Sequence, residues 1–285
     1  MAKMVTIQNE DLKMVISTLD AEAQSITDGE REFLWQNPTG ELWADHSPVL
    51  FPICSKLKDD RYFYDGKWYH MKKHGFSKGK EFEVETLDKD RAVFLLKADD
   101  ETKVSYPFDY EFRVEYKLSG RQLITTYSVL NKSEKVMPVS FGSHEAYACP
   151  EGIEEYEIEF PNDDYIELDE LKDGLLTGNT EKIYLTDRKL HLTHKDLDPE
   201  SYVIKNHKSR KLILRHIRSG REITVEFPGI DYLVLWTMEK GDYICIEPWA
   251  SYIDRADTDG DIMKREGIMP VKSNESISRT HTITF

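Results

Sequence analysis

Short runs in which Val, Ile, Tyr, Phe and Thr alternate with polar residues recur along nearly the whole chain, and this pattern limits what it can fold into. An apolar side chain at every second position marks a strand with one face against a core. The runs fall at residues 4–8, 13–18, 32–35, 61–64, 81–88, 92–98, 108–118, 122–131, 156–160, 211–216, 222–227, 232–237, 243–248 and 276–285. Asp65-Gly66 and Ser119-Gly120 each stand between two such runs, where a tight turn closes an antiparallel hairpin. Helical spacing shows only at residues 20–28 and as a turn near 196–202.

So many short strands would leave apolar faces and long edges exposed in a single open sheet, so two stacked sheets or a closed barrel are required. The expectation is an all-β fold, a large antiparallel β-sandwich with few short helices. No repeat, low-complexity tract or Pro/Ser-rich linker divides residues 1–285, which read as a single β-sandwich domain.

A hydrophobic fraction of 39% supplies an extended core, and 32% charged residues solvate its surface. The formal charge of −15 repels phosphate backbones and anionic membranes, which removes nucleic acid from the expected partners. Nothing in the sequence approaches the roughly 18 apolar residues of a membrane helix, and the first ten residues lack the pattern of a secretory signal. The expected location is the cytoplasm. Cys54, Cys149 and Cys245 are odd in number and far apart, which fits reduced thiols better than a disulfide framework or a zinc site.

Three segments break the alternation. The first runs from Ser47 to Cys54 and is followed by Lys73-His74-Gly75-Phe76; the second is Phe141-Gly142-Ser143-His144-Glu145-Ala146-Tyr147; the third is Ile244-Cys245-Ile246-Glu247-Pro248-Trp249. Glu247 ends an apolar strand, and a carboxylate taken out of water is costly without a partner. It is either a structural glutamate bonded to an amide or arginine, or a general base whose pKa burial raises. His74 and His144 sit beside glycine or serine, where backbone can approach a ligand closely, and each is either a structural histidine or an acid–base group. Phe76, Tyr147 and Trp249 would add aromatic faces for the C–H side of a sugar.

Asp257-Thr258-Asp259-Gly260-Asp261 opens like a calcium loop but lacks the glutamate at its twelfth position, so it reads as a solvated turn. His191 and His194 near Asp196 and Asp198 have no helical frame to align them on a metal. P-loop, dinucleotide-binding and serine-hydrolase motifs are absent.

Taken in order, these segments resemble the aldose 1-epimerase (galactose mutarotase) family, in particular the bacterial branch of LacX-like proteins, over nearly the whole chain. Ser47 to Cys54 is similar to the branch's proline-bracketed Leu-Phe motif, "HGFSKG" at His74 to Gly79 to its His-Gly-Phe-Ala-Arg motif, "GSHEAY" at Gly142 to Tyr147 to its Gly-x-His-Pro motif, and "CIEPW" at Cys245 to Trp249 to its C-terminal carboxylate motif. The resemblance implies a galactose mutarotase-like supersandwich and interconversion of the α and β anomers of a free aldose, with no metal or organic cofactor. By the same similarity Glu247 matches the general base, His144 the general acid, and His74 a histidine that holds the sugar's oxygens. Lys56 stands where the family carries an arginine that grips the sugar, Glu145 where it carries a proline, and Asp198 and Glu200 are both candidates for its sugar-binding aspartate.

Substrate-binding residues are therefore expected at His74, Lys56, Phe76, Trp249, Asp198 and Glu200, and catalytic ones at Glu247 and His144. The partner expected is a small-molecule sugar, a hexose, with no nucleic acid and no membrane; a homodimer is left open. Two alternatives stand beside the free-aldose isomerase: a non-catalytic carbohydrate-binding protein on the same fold, and a mutarotase of a phosphorylated sugar, for which Lys56, Lys72, Lys73 and Lys78 supply cationic charge.

Overall fold

The computed structural model describes residues 2–197 and 201–285. In chain order the first strands are β1 (Met4–Gln8), β2 (Lys13–Ser17), β3 (Ala23–Thr27), β4 (Arg61–Tyr64), β5 (Lys67–His70), β6 (Glu83–Leu87) and β7 (Arg91–Lys97). Helix α1 (Asp100–Ser105) precedes β8 (Tyr110–Ser119), β9 (Gln122–Asn131), β10 (Met137–Val139), β11 (Ala146–Ala148) and β12 (Tyr156–Glu159). Next come β13 (Tyr165–Lys172), β14 (Leu175–Tyr184), β15 (Lys189–His191), helix α2 (His194–Leu197) and β16 (Tyr202–Ile204). The last are β17 (Lys211–His216), β18 (Glu222–Glu226), β19 (Tyr232–Trp236), β20 (Tyr243–Trp249), β21 (Met269–Val271) and β22 (Ser276–Thr284).

Two large antiparallel sheets dominate. The nine-stranded sheet has the order β15-β12-β17-β18-β22-β9-β8-β7-β6 and the six-stranded sheet β11-β20-β19-β16-β13-β14. Inward residues of the first, such as Phe112, Val114, Val129, Leu214 and Ile283, share one buried cluster with Leu233, Leu235, Ile244 and Ile246 of the second. Burying each of these side chains contributes about 1.5–3 kcal/mol, which makes this shared core the main source of cohesion. The β-sandwich expectation therefore holds.

Both predicted hairpins form: β4 pairs with β5 across Asp65-Gly66, and β8 pairs with β9, although the second turn falls one residue later than expected, at Gly120-Arg121, because Ser119 pairs with Gln122. The helix expected at 20–28 does not. Asp20 and Ala21 take positive φ in a turn, and Ala23–Thr27 pairs as β3 with β2, burying Ala23 and Ile26. Pairing with a neighbouring strand outweighs a weak helical pattern over nine residues. Residues 32–35 are extended, with bridges at Glu32 and Leu34 in place of a full strand. The turn of helix expected near 196–202 starts earlier, as α2, and Tyr202 already belongs to β16. Helix α1 was not expected; its start is fixed by a capping box in which Asp99 and Thr102 each accept from the other's backbone amide.

Alternation along β20 positions the site. Ile244 and Ile246 face the shared core, whereas Cys245 and Trp249 belong to clusters on the opposite face, the side on which Glu247 also lies. On β19 the register sets Val234 opposite Glu247 and Trp236 opposite Cys245. A cleft thus lies on the outer face of the six-stranded sheet.

Candidate active site

Backbone bridges roof this cleft with three distant segments. Leu50 and Trp249 each bridge to Gly142, and Phe51 bridges to Gly75. Glycine is required at two of these contacts: a β-carbon on Gly75 would lie 2.1 Å from the Phe51 carbonyl oxygen, and one on Gly142 would lie 2.7 Å from Cδ1 of Trp249. The resulting cavity encloses about 310 Å³ and is lined by Trp43, Asp45, Lys73, His74, His144 and Glu247 among others. That is the low end of the size range of small-molecule sites.

His144 and Glu247 meet at its floor. Nε2 of His144 lies 3.3 Å from Oε2 of Glu247, whose side chain is only 1% exposed. Oε2 has no hydrogen-bond partner among the described residues, so the approach is close without being a made hydrogen bond. Burial pushes the Glu247 carboxyl well above the usual carboxylate range, against the opposing charge of Lys73. Burial, with Lys73 in support, lowers His144 to about 3. Both shifts favour an uncharged pair that holds a single proton on the carboxyl group. The His144 ring is enclosed by Trp43 at 4.9 Å, His74 at 5.6 Å and Trp236 at 5.7 Å between centroids.

His74 has positive φ, as does Gly75, and this turn aims its ring into the cleft. The Ser55 amide donates to Nδ1 of His74 at 3.1 Å, which leaves the ring hydrogen on Nε2. Burial, with His144 and Lys73 adding to it, holds His74 well below its usual pKa, so it is a neutral hydrogen-bond donor. Trp249 lines the cleft with its ring 5.6 Å from His74, and its Nε1 donates to the Ser143 carbonyl.

Other expected residues lie elsewhere. Phe76 packs its ring against Phe51, Tyr106 and Tyr110 in the core and does not line the cleft. Lys56 lies outside the cleft lining, with its Cδ beside Gly174 in the turn between β13 and β14. Asp198 and Glu200 fall outside the described residues, while Ser201 lines the cleft. Tyr147 is wholly buried. Asp257 and Asp259 are taken up by ion pairs with Arg255 and Lys264, as suits a solvated turn.

Sequence reasoning overlooked Trp43, Asp45 and Trp236. Trp236 carried a signal, since it closes an apolar strand in register with the Glu247 strand. Trp43 and Asp45 sit in irregular backbone, which no periodicity marks. Glu145 points away from the cleft, into the core, where Oε1 meets Nε2 of His281 at 2.9 Å. A charged residue is tolerated there because a histidine of the opposite sheet faces it. Arg265, 3% exposed, pairs with Asp254 at 3.0 Å and donates to the carbonyls of Cys54 and Tyr252. It ties the segment that seats His74 to the one that follows Trp249.

A larger cavity of about 570 Å³ is lined by Phe33, Trp35, Leu42, Tyr156 and Leu214 among others. Trp35 borders it and donates to the Trp43 carbonyl. Among the described residues, the groups lining it form no close acid–base pair of the kind that Glu247 and His144 form.

Residues 3–261 match the family described as aldose 1-epimerase. Protein LacX of Lactococcus lactis subsp. lactis is 31% identical over 264 residues, which cover 86% of this chain and 87% of LacX. A galactose mutarotase related enzyme from Lactobacillus acidophilus superposes with a TM-score of 0.91 at 33% identity, covering 99% of this chain and 97% of the other. A galactose mutarotase-like protein from Lactobacillus casei superposes with a TM-score of 0.92 at 26% identity, covering 99% of each chain.

Proposed function

Since this chain belongs to the aldose 1-epimerase family, we propose that it interconverts the α and β anomers of a free aldose by acid–base ring opening, with Glu247 and His144 as catalytic residues. The observation that carries this reading is the 3.3 Å approach of His144 to Glu247 at the floor of a sugar-sized cleft. Opening a hemiacetal requires a proton to leave O1 while another reaches O5, and two adjacent groups sharing one proton do both. In the form with the proton on His144, Glu247 takes the O1 hydrogen. The O1 electron pair closes the C1 carbonyl, the C1–O5 bond breaks, and O5 takes the proton from His144.

The pair then stands as neutral imidazole and carboxylic acid, the arrangement that burial favours. Rotation about C1–C2 and reclosure, with each proton retracing its path, give the other anomer. Nε2–H of His74 donates to a sugar oxygen, and Trp43 and Trp249 offer faces to the C–H side of the ring. Polarimetry of freshly dissolved α-D-glucose and α-D-galactose tests the reading. Rotation that relaxes no faster than in buffer, across a panel of free aldoses, would turn the assignment toward a carbohydrate-binding protein.

One observation favours a second reading, a phosphorylated sugar as substrate. Lys73 lines the cleft and has no ion-pair partner among the described residues, whereas Lys78 is taken by Asp45. A faster response to a sugar phosphate than to its parent sugar, lost in Lys73→Ala, would support that reading; equal responses would remove it.

A further inference from the structure

We propose that His144 and Glu247 at the floor of the cleft, together with the buried Cys245 beside Glu247 on β20, form a binding site for a soft divalent cation of the zinc type. Strand alternation supplies two of the ligands, because Cys245 and Glu247 stand two residues apart on the same face of β20. His144 reaches them from the segment leading into β11, where Ala146 pairs with Cys245. An imidazole nitrogen, the thiol sulfur and a carboxylate oxygen all lie within 4.8 Å of one another. Tetrahedral zinc with bonds of about 2.0–2.3 Å holds its ligands roughly 3.3–3.8 Å apart, so small side-chain rotations close the set. His144 and Glu247 are already at 3.3 Å.

Two further features point to a ligand. Oε2 of Glu247 is buried and has no hydrogen-bond partner among the described residues, and both His144 and Glu247 border the cleft, from which a water would complete a tetrahedral shell. A nitrogen, sulfur and oxygen set suits zinc or cobalt and disfavours magnesium or calcium, which take all-oxygen shells. As the metal–sulfur bond forms, the thiol proton of Cys245 leaves to solvent, as does any proton on Glu247; no electrons are exchanged. The nearest opposing charge is Lys73, since Asp45 offsets Lys78. The cation takes the two groups that the sugar chemistry needs, so cation and sugar compete and zinc acts as an inhibitor.

Cobalt(II) added to the purified full-length chain, with non-thiol reductant and no chelator, provides the test. The expected spectrum has a near-ultraviolet thiolate charge-transfer band and the visible bands of four-coordinate cobalt, all abolished by equimolar zinc. Cys245→Ala loses the charge-transfer band and binds zinc about tenfold or more weakly, with its far-ultraviolet circular dichroism reporting that it is folded. A saturated spectrum without thiolate bands, or a Cys245→Ala variant that binds zinc as tightly as the parent, overturns the proposal. The spectrum is read on resting protein, so its outcome is separate from whether the chain turns over a sugar.

Discussion

The backbone amide of Ser55 donates to Nδ1 of His74 across 3.1 Å, and this one bond decides how His74 meets a ligand. Protonating Nδ1 would break it and place a buried cation beside His144 and Lys73. The native ring therefore binds a proton far less readily than the unfolded one, whose pKa is near the usual 6.5. The sign follows: the native state holds fewer protons below that value, so stability is full above about pH 6.5 and declines as the pH falls below it. His74→Gln should flatten this slope in urea titrations between neutral and mildly acidic pH. An unchanged slope would mean that His74 does not contribute to it.

Glu247→Gln retains the shape of the side chain but cannot take a proton, and polarimetric turnover should vanish while the circular dichroism spectrum is retained. His144→Asn should lower turnover by about 10²–10⁴, the range for losing acid–base assistance. Should it raise only the Michaelis constant, His144 is a binding group.

Glu247→Gln should also stabilise the protein near neutral pH. The native carboxyl is pushed upward by burial, a cost that grows as the pH rises above the usual carboxylate value and that the amide avoids. For a chain of this size the thermal midpoint should rise by roughly 2–4 °C per kcal/mol relieved. A midpoint below that of the parent would contradict the burial argument.

Asp254→Ala leaves the Arg265 guanidinium buried and uncompensated, and should cost about 3–5 kcal/mol in urea denaturation. Because Arg265 also holds the Cys54 carbonyl, affinity for sugar should weaken along with stability. Replacing both residues with apolar ones should recover part of the loss; no recovery would place the effect elsewhere.

Gly75→Ala forces a β-carbon into the Phe51 carbonyl and a side chain into a left-handed backbone conformation. The backbone conformation alone costs about 1–3 kcal/mol. Chemical denaturation should show at least that loss, and parent-like stability would exclude the close approach.

The fold was legible wherever alternation was strong. Residues 122–131 and 211–216 were bounded as they occur, because buried and exposed positions alternate there almost without fault. Strands β13 and β14 were missed because β13 is rich in charge and β14 is largely exposed, so no apolar face marks them. Within the site, Glu247 was legible as a carboxylate ending an apolar strand, and His74 and His144 by their small neighbours. Phe76 misled because its motif neighbours enter the cleft while its own ring turns into the core. Trp43 left no trace, since its position depends on how the segment after Trp35 is draped over β19 and β20, which only tertiary packing decides.

Strand β20 is hydrogen-bonded on both sides, to β11 and to β19, and every residue in it is buried. Its amides have no edge from which to fray, so hydrogen–deuterium exchange at Ile246 and Glu247 should proceed only through global opening. Exchange at the base of the cleft then reports the full unfolding free energy of the chain, whereas the roof at Ser47–Cys54 and Lys73–Phe76, held by isolated bridges at Leu50 and Phe51, has fewer backbone bonds to break before it opens. A ligand held by both would slow exchange in the roof far more than in the floor.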